Sequence, residues 1–519
     1  MDPPPGMTPP PFPLTPASDA FVVRFIGTAV AVLAITSLLL ARTFQRPRAG
    51  LAVAAYGTAA LLAVLPRWLD ATTNSLALLP PLATPLPAAA VALHARALVA
   101  DAHADLLLWG TRSILGTDGM PFRTADGKSP VGLVSAAAIV WQSYVAPYLP
   151  PGLPYLTAPV GQTDVARLRA GGVGLATLAV VTTAPWRMNT QANDDPVRWG
   201  ADRVGVKAAL ELWPPWEAAS RLGRVRNQAR RLHEAVLSSR GRVVHLRSRG
   251  DLETHVAAWK AGRAGGAAAP ATAGPPNGSV PTLGVVLAVE GVQCLVGQLA
   301  NLDVLYAIGV RVLGLAHFHD TEAGGSSAGR AKGGLTPWGW ALLRRAKEAG
   351  FIIDLAHASA ATIADVLGLP DDERPPVMVS HTGLDAQCPS PRNVDDATVR
   401  AVVAAGGVIG VTFFDAGGCV ARGGHPVGSP TEGPALFDAV VAGIVHAVTV
   451  AGPSGVMLGS DWDGAVRVSI GPGELVRLTA ALLDAGLDEG DVEGVLGRNY
   501  VDFLGRSLPN GWRRKRVQK

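Results

Sequence analysis

Residues 351–382 read FIIDLAHASAATIADVLGLPDDERPPVMVSHT, and this stretch decides the fold. A strand near 351–357 closes on Asp354 and His357. A helical pattern follows over 360–367. A second strand near 376–381 closes on His381. Both strands are near-continuous runs of β-branched and small apolar residues, as expected where a strand is buried on both faces. Each leaves polar side chains at its C-terminal end. The same unit repeats on either side. Further strands are expected near 99–104, 173–181, 284–290, 311–317, 407–413 and 455–460. Helical patterns fall at 88–98, 217–238, 296–308, 337–349, 395–405, 434–451 and 473–484. Eight strands alternating with helices predict an α/β protein, a (β/α)8 TIM-like barrel.

In such a barrel the functional side chains project from the C-terminal ends of the strands. The first strand ends in Asp101-Ala-His103-Ala-Asp105, the third in Glu290, the fourth in His317, the fifth in Asp354-Leu-Ala-His357. The sixth ends in Ser-His381 and the eighth in Asp461-Trp-Asp463. Four of the eleven histidines therefore fall at strand ends. Residues i and i+2 of a strand point the same way, so His103 and Asp105 can reach one cation. Imidazoles and carboxylates at one mouth suit zinc or a similar divalent ion. His-x-Asp alone is common; followed by glutamate, histidines and aspartate at five further strand ends, it is specific. A second cation needs a bridging ligand. Glu290 is the candidate, because a carboxylate binds through both oxygens and would be costly left unpaired after a buried strand. Asp101 and Asp354 are expected to stabilise the mouth.

The chain has 519 residues, 48% hydrophobic and 17% charged, enough for one large barrel with appendages. Net charge is +4, with Arg513, Arg514, Lys515, Arg516 and Lys519 in a basic tail over 509–519. No clustering of basic and aromatic residues suggests a nucleic-acid partner. Residues 1–20 are proline-rich and read as a disordered tail. Apolar runs from Phe25 to Ala41 and from Leu51 to Leu65 flank Arg42, Arg46 and Arg48, so 21–66 read as a transmembrane anchor of one or two helices. With both runs crossing, the arginines lie inside and the barrel is extracytoplasmic or lumenal. A linker over 67–87 leads to a domain at 88–508, with Gly/Pro-rich inserts at 112–160 and 262–281 that could reshape the entrance. Three cysteines, Cys294, Cys388 and Cys419, allow at most one disulfide and do not fix the compartment.

The runs LAHFHDTEAGGSSAGRAKGGLTPWG (315–339), FIIDLAHASAATIADVL (351–367), VMVSHTGLDAQCPSPRNVDDATVRAVVAAGGVIGVTFF (377–414) and VMLGSDWDG (456–464) resemble the membrane (renal) dipeptidase family, zinc peptidases of the amidohydrolase superfamily. The likeness covers about 90–508 apart from the inserts and is greatest to bacterial-type members. It implies a metallodipeptidase with two zinc ions bridged by a hydroxide that attacks the peptide bond. His103 and Asp105 would hold the first ion, His357 and His381 the second, and Glu290 both. His317 would face the substrate and stabilise the oxyanion. Arg392 would clamp the substrate's terminal carboxylate. Asp461 would carry the proton to the leaving amine. A dipeptide substrate and a homodimer are further expectations of the resemblance.

Departures from the family fall at Gln162, in a segment where many relatives carry a histidine, and at Ala316 and Ala356, where mammalian members have hydroxyl residues. His319 has no role assigned. His94, His233, His245, His255, His425 and His446 read as structural or solvated. The same metals could serve hydrolysis of a lactam, a lactone or an N-acyl amino acid. An inactive membrane receptor or adaptor is the reading from another class, and the intact ligand set argues against it.

Overall fold

The computed structural model describes residues 74, 76, 79–109, 161–185, 192–194, 202–210, 213–264, 282–418 and 432–511. The tail, both apolar runs proposed as an anchor, the insert at 112–160 and the last eight residues lie outside them. Nine parallel strands are present among the described residues: β1 (Val99–Ala104), β2 (Val173–Val181), β3 (Val243–His245), β4 (Leu283–Glu290), β5 (Val310–Gly314), β6 (Ile352–Asp354), β7 (Val377–Thr382), β8 (Ile409–Val411) and β9 (Val456–Leu458). The order β2-β1-β9-β8-β7-β6-β5-β4, with β4 also paired to β2 over seven residues from Leu175↔Gly284 to Val181↔Glu290, closes an eight-stranded barrel. These eight are the strands expected from the sequence. The ninth, β3, pairs only with the first three residues of β4.

Helices wrap the ring: α1 (Ala88–Arg96), α2 (Val165–Ala170), α3 (Arg203–Leu210), α4 (Pro215–Ala218), α5 (Arg221–Ser238), α6 (Arg249–Ala264), α7 (Asn301–Ile308), α8 (Pro337–Ala349), α9 (Ala360–Leu367), α10 (Asp396–Ala404), α11 (Glu432–Ala451), α12 (Leu475–Asp484), α13 (Glu489–Glu493) and α14 (Asn499–Ser507). Side-chain caps set the starts of several. Thr336 accepts from the Gly339 N–H before α8, Ser359 from Thr362 before α9, and Asp395 from Thr398 before α10. Two expected helices differ. The one over 217–238 is broken because Ser220 takes an extended conformation and caps α5 by accepting from the Gly223 N–H. The one over 296–308 begins at Asn301, because Val296 is left-handed with φ 53° and ends a 3-10 turn.

Alternation along the strands divides the core. On β4, Val285, Leu287 and Val289 pack outward against the helices, while Val286 and Ala288 face inward. Glu290 continues that inward parity at the end of the strand. At the opposite end the interior is filled from α14: Tyr500, Phe503 and Leu504 pack among Ala100, Leu175, Val286, Val312, Ile352, Met378 and Met457, and Tyr500 hydrogen-bonds Thr177.

Helix α11 contains the segment Gly433–Ala451, 19 residues with mean hydropathy 1.8, long and apolar enough to cross a membrane. Its Leu436, Val440, Ile444 and Ala447 are buried at helical spacing, which makes it a wall of the barrel. The linker expected over 67–87 is docked in part: Asn74 accepts a hydrogen bond from the Ala465 N–H at 2.9 Å and Leu76 bridges Val468. Most of the insert at 262–281 also lies outside the described residues. Its N-terminal residues to Ala264 end α6, and Thr282 on its far side leads into β4 at the end opposite Glu290.

Candidate metal centre

Glu290 ends β4 inside the barrel mouth and is the hub of a buried polar cluster. Its Oε1 lies 3.1 Å from His357 Nε2, 3.6 Å from His103 Nε2 and 3.6 Å from His381 Nε2. Its Oε2 lies 3.4 Å from His317 Nε2. On the β1 side, His103 Nε2 is 3.8 Å from Asp105 Oδ2 and 3.9 Å from Asp461 Oδ1. On the other side, His357 and His381 bring their Nε2 atoms to 3.1 Å. Three groups have ligand atoms within 4.8 Å of one another: His103, Asp105 and Asp461; Glu290, His357 and His381; His103, Asp354 and His381.

The backbone is bent to make this arrangement. His357 and Asp461 both have φ of 62°, a left-handed conformation uncommon for residues other than glycine. Hydrogen bonds hold both turns: the Ser327 N–H donates to the His357 carbonyl at 2.8 Å, and the Asp461 N–H donates to the His103 carbonyl at 3.0 Å. Beneath the cluster, Asp101 accepts from the Ser460 N–H at 2.8 Å and the Ser460 hydroxyl at 2.7 Å. Asp354 accepts from the N–H groups of Ala356 at 3.0 Å and Ser380 at 2.9 Å. Both aspartates, read from the sequence as stabilisers of the mouth, thus tie neighbouring strands together.

The electrostatics favour a multivalent cation. Burial pushes Asp105 up to about 8, with Asp101 adding repulsion, and pushes Asp461 up to about 7. Glu290 is raised well above the carboxylate range by burial and then by Asp105. His317, His357 and His381 are held well below the usual imidazole range, chiefly by burial. Carboxylates crowded together resist ionising, and neutral imidazoles keep lone pairs for coordination. His103 Nε2 and Asp105 Oδ1 are buried without a hydrogen-bond partner. Such atoms are costly unless something electropositive sits against them. The donor set therefore fits divalent cations bound by nitrogen and oxygen.

Arg392 is buried at the same mouth. Its guanidinium donates to the His381 carbonyl at 3.0 Å and stands 5.9 Å from the Phe414 ring centre. Among the described residues no carboxylate forms an ion pair with it. Phe318, half-buried, packs with its ring centre 4.1 Å from that of His317 and 5.7 Å from that of His357. Asp463 is not part of the cluster. It accepts from the Gln162 N–H at 2.6 Å, and its own N–H donates to Gln162 Oε1 at 2.8 Å, so Gln162 fastens the loop after β9. His319 is buried beyond His317 and belongs to none of the three groups of potential ligands. Ser380 and Ser460 were not singled out from sequence, and their place directly before His381 and Asp461 was the available signal.

The closed parallel barrel thus gathers its histidines and carboxylates at the C-terminal ends of its strands, the face where barrels of this kind carry their active sites. Residues 279–506 match the family model for membrane dipeptidases, peptidase family M19, and the chain resembles that family. It is 30% identical over 225 residues to the dipeptidase aclJ of Aspergillus oryzae, covering 42% of this chain and 50% of that protein. The chain thus spans about half the length of the curated relative it matches. The fold is similar to that of the probable dipeptidase PvdM from Pseudomonas aeruginosa, with a TM-score of 0.55, 19% identity, and 82% of this chain and 98% of that one covered. It is also similar to a metallo peptidase from Rhodobacter sphaeroides liganded with a phosphinate mimic of the dipeptide L-Ala-D-Ala, with a TM-score of 0.54, 19% identity, and 79% and 99% covered.

Proposed function

We propose that this chain is a metal-dependent dipeptidase that hydrolyses the bond between two amino acids of a short peptide. The observation that supports it most is the convergence of three imidazole Nε2 atoms within 3.6 Å of one Glu290 oxygen, with Asp105 and Asp461 alongside His103. His103 and Asp105 would hold one divalent ion, His357 and His381 a second, and Glu290 both. Two zinc ions suit these donors. Such ions, when bound, acidify water at neutral pH and polarise a carbonyl.

The chain's own groups supply the rest. Asp461, whose Oδ1 lies 3.9 Å from His103 Nε2, takes the proton of the attacking water and delivers it to the departing nitrogen. His317, within 3.4 Å of Glu290, faces the reacting carbonyl and stabilises the oxygen as it gains charge. Arg392, buried and without an ion-pair partner among the described residues, takes the terminal carboxylate of the substrate in a bidentate pair. That pairing limits substrates to those ending just past the scissile bond. The apolar runs within 21–66 serve as membrane attachment in this reading; with both crossing, the arginines between them stay inside and the barrel lies outside the cytoplasm.

The test is metal analysis of the purified protein together with hydrolysis of a Gly-Xaa dipeptide panel, with Glu290→Gln as control. Two divalent ions per chain and dipeptide turnover lost in Glu290→Gln are expected. A chain that binds divalent ions yet cleaves only lactams, lactones or N-acyl amino acids would refute the dipeptidase reading.

A further inference from the structure

We infer that Ser380 is a positioning residue shared by both halves of the metal centre: its one hydroxyl contacts His103 and His381 from behind and fixes the tautomer of both. The inference rests on the cation site proposed above. His103 comes from β1 and His381 from β7, and their ring centres are 3.8 Å apart. Both rings turn Nε2 toward the same Glu290 oxygen, at 3.6 Å each. Their Nδ1 atoms therefore face away from it, and there Ser380 Oγ lies 2.8 Å from His381 Nδ1 and 3.4 Å from His103 Nδ1.

An imidazole that offers the Nε2 lone pair to a cation carries its proton on Nδ1. Both Nδ1 groups are then donors. A serine hydroxyl has two acceptor lone pairs, so it can receive both N–H bonds at once. Ser380 is fully buried, so water does not compete for those lone pairs. Its position is fixed twice over. Its backbone N–H donates to Asp354 at 2.9 Å. Its carbonyl oxygen is hemmed in by Gly410 and Gly459, where a Cβ would come within 1.9 and 2.0 Å. The grouping of His103, Asp354 and His381 within 4.8 Å is thereby accounted for as the hydrogen-bonded floor of the centre, with Asp354 setting the strand that carries Ser380. Because one oxygen serves ligands of both ions, its loss weakens both, whereas a partner of a single histidine would affect one.

The experiment is a titration of the metal-stripped full chain with Zn2+ against a chromophoric chelator. It compares wild type, Ser380→Ala, Ser380→Cys, which keeps the size but is a poor acceptor, and Ser380→Thr, which keeps the hydroxyl. Both successive association constants should fall about 10- to 100-fold in the alanine and cysteine variants. The threonine variant should stay within a few-fold of wild type. A serine of purely structural importance would lower the melting temperature of the metal-free protein and leave both constants unchanged once folded. That result overturns the inference, as does a loss confined to one ion or an equal loss in the threonine variant. Wild-type protein that binds no divalent ion overturns the cation site itself, and this inference with it.

Discussion

Gly464 follows the Asp461-Trp462-Asp463 turn, and a Cβ built there would sit 2.2 Å from Asp461 Oδ1 and 2.8 Å from Asp105 Oδ2. Gly464→Ala therefore drives a methyl group between the two carboxylates that flank His103. The atoms it strikes are side-chain tips, which can swing aside at a cost of about 1 kcal/mol for an off-rotamer torsion. Folding should survive with a melting temperature lowered by only a few degrees. The centre should not. Relieving the 2.2 Å contact moves Asp461 Oδ1 by roughly 1 Å, and misplacement on that scale costs on the order of 10²-fold in rate. Dipeptide kcat/KM should fall by about that factor while circular dichroism stays native. Metal titration should show weakening at the His103–Asp105 side. Wild-type kcat/KM in a folded Gly464→Ala protein would refute the assignment of Asp105 and Asp461 to the reaction.

Gly410→Ala makes the contrasting case, because its Cβ would lie 1.9 Å from the backbone oxygen of Ser380, which cannot swing aside. It should destabilise the barrel by about 3 kcal/mol, read by denaturant unfolding. Arg392→Lys should raise KM for dipeptides about 10- to 100-fold, the worth of a charge-assisted hydrogen bond. It should scarcely change hydrolysis of any dipeptide amide that the wild type accepts. His245, on β3 with Nε2 3.2 Å from the Gly309 carbonyl, is depressed to about 4 by burial and then by Arg247. Its folded value lies below the unfolded value of about 6.5, so the unfolded chain takes up the proton first as pH falls. Stability is complete above pH 6.5 and declines between about 6.5 and 4, by on the order of 3 kcal/mol. His245→Gln should flatten that decline in equilibrium unfolding followed against pH.

Eight strands were legible because a parallel strand buried on both faces must be apolar along its whole length. β3 escaped because three residues, Val243–His245, carry no usable period. α6 escaped because its inward stripe is narrow: only Leu252, Val256 and Trp259, at i, i+4 and i+7, are large apolar residues in RGDLETHVAAWKAGRA, among many polar ones. The polar residues assigned to the centre stood out as interruptions at the ends of apolar runs. His103 and Asp105 lie outside the segment matched to the family model, and the barrel's closure is what carries them to Glu290. Ser380 was less visible, since serine at a strand end is ordinary until its neighbours are known. The pairing of Gln162 with Asp463 joins residues 301 apart and leaves no local mark.

The floor of the barrel comes from α14, close to 400 residues after β1 along the chain. During synthesis, β1 to β9 all leave the ribosome before Tyr500, Phe503 and Leu504 can enter the ring. Until then the lower layer of side chains has no lid and lies open to water and to chaperones. A nonsense codon shortly before Asn499 would spare every candidate ligand and still deny the nascent barrel its stopper.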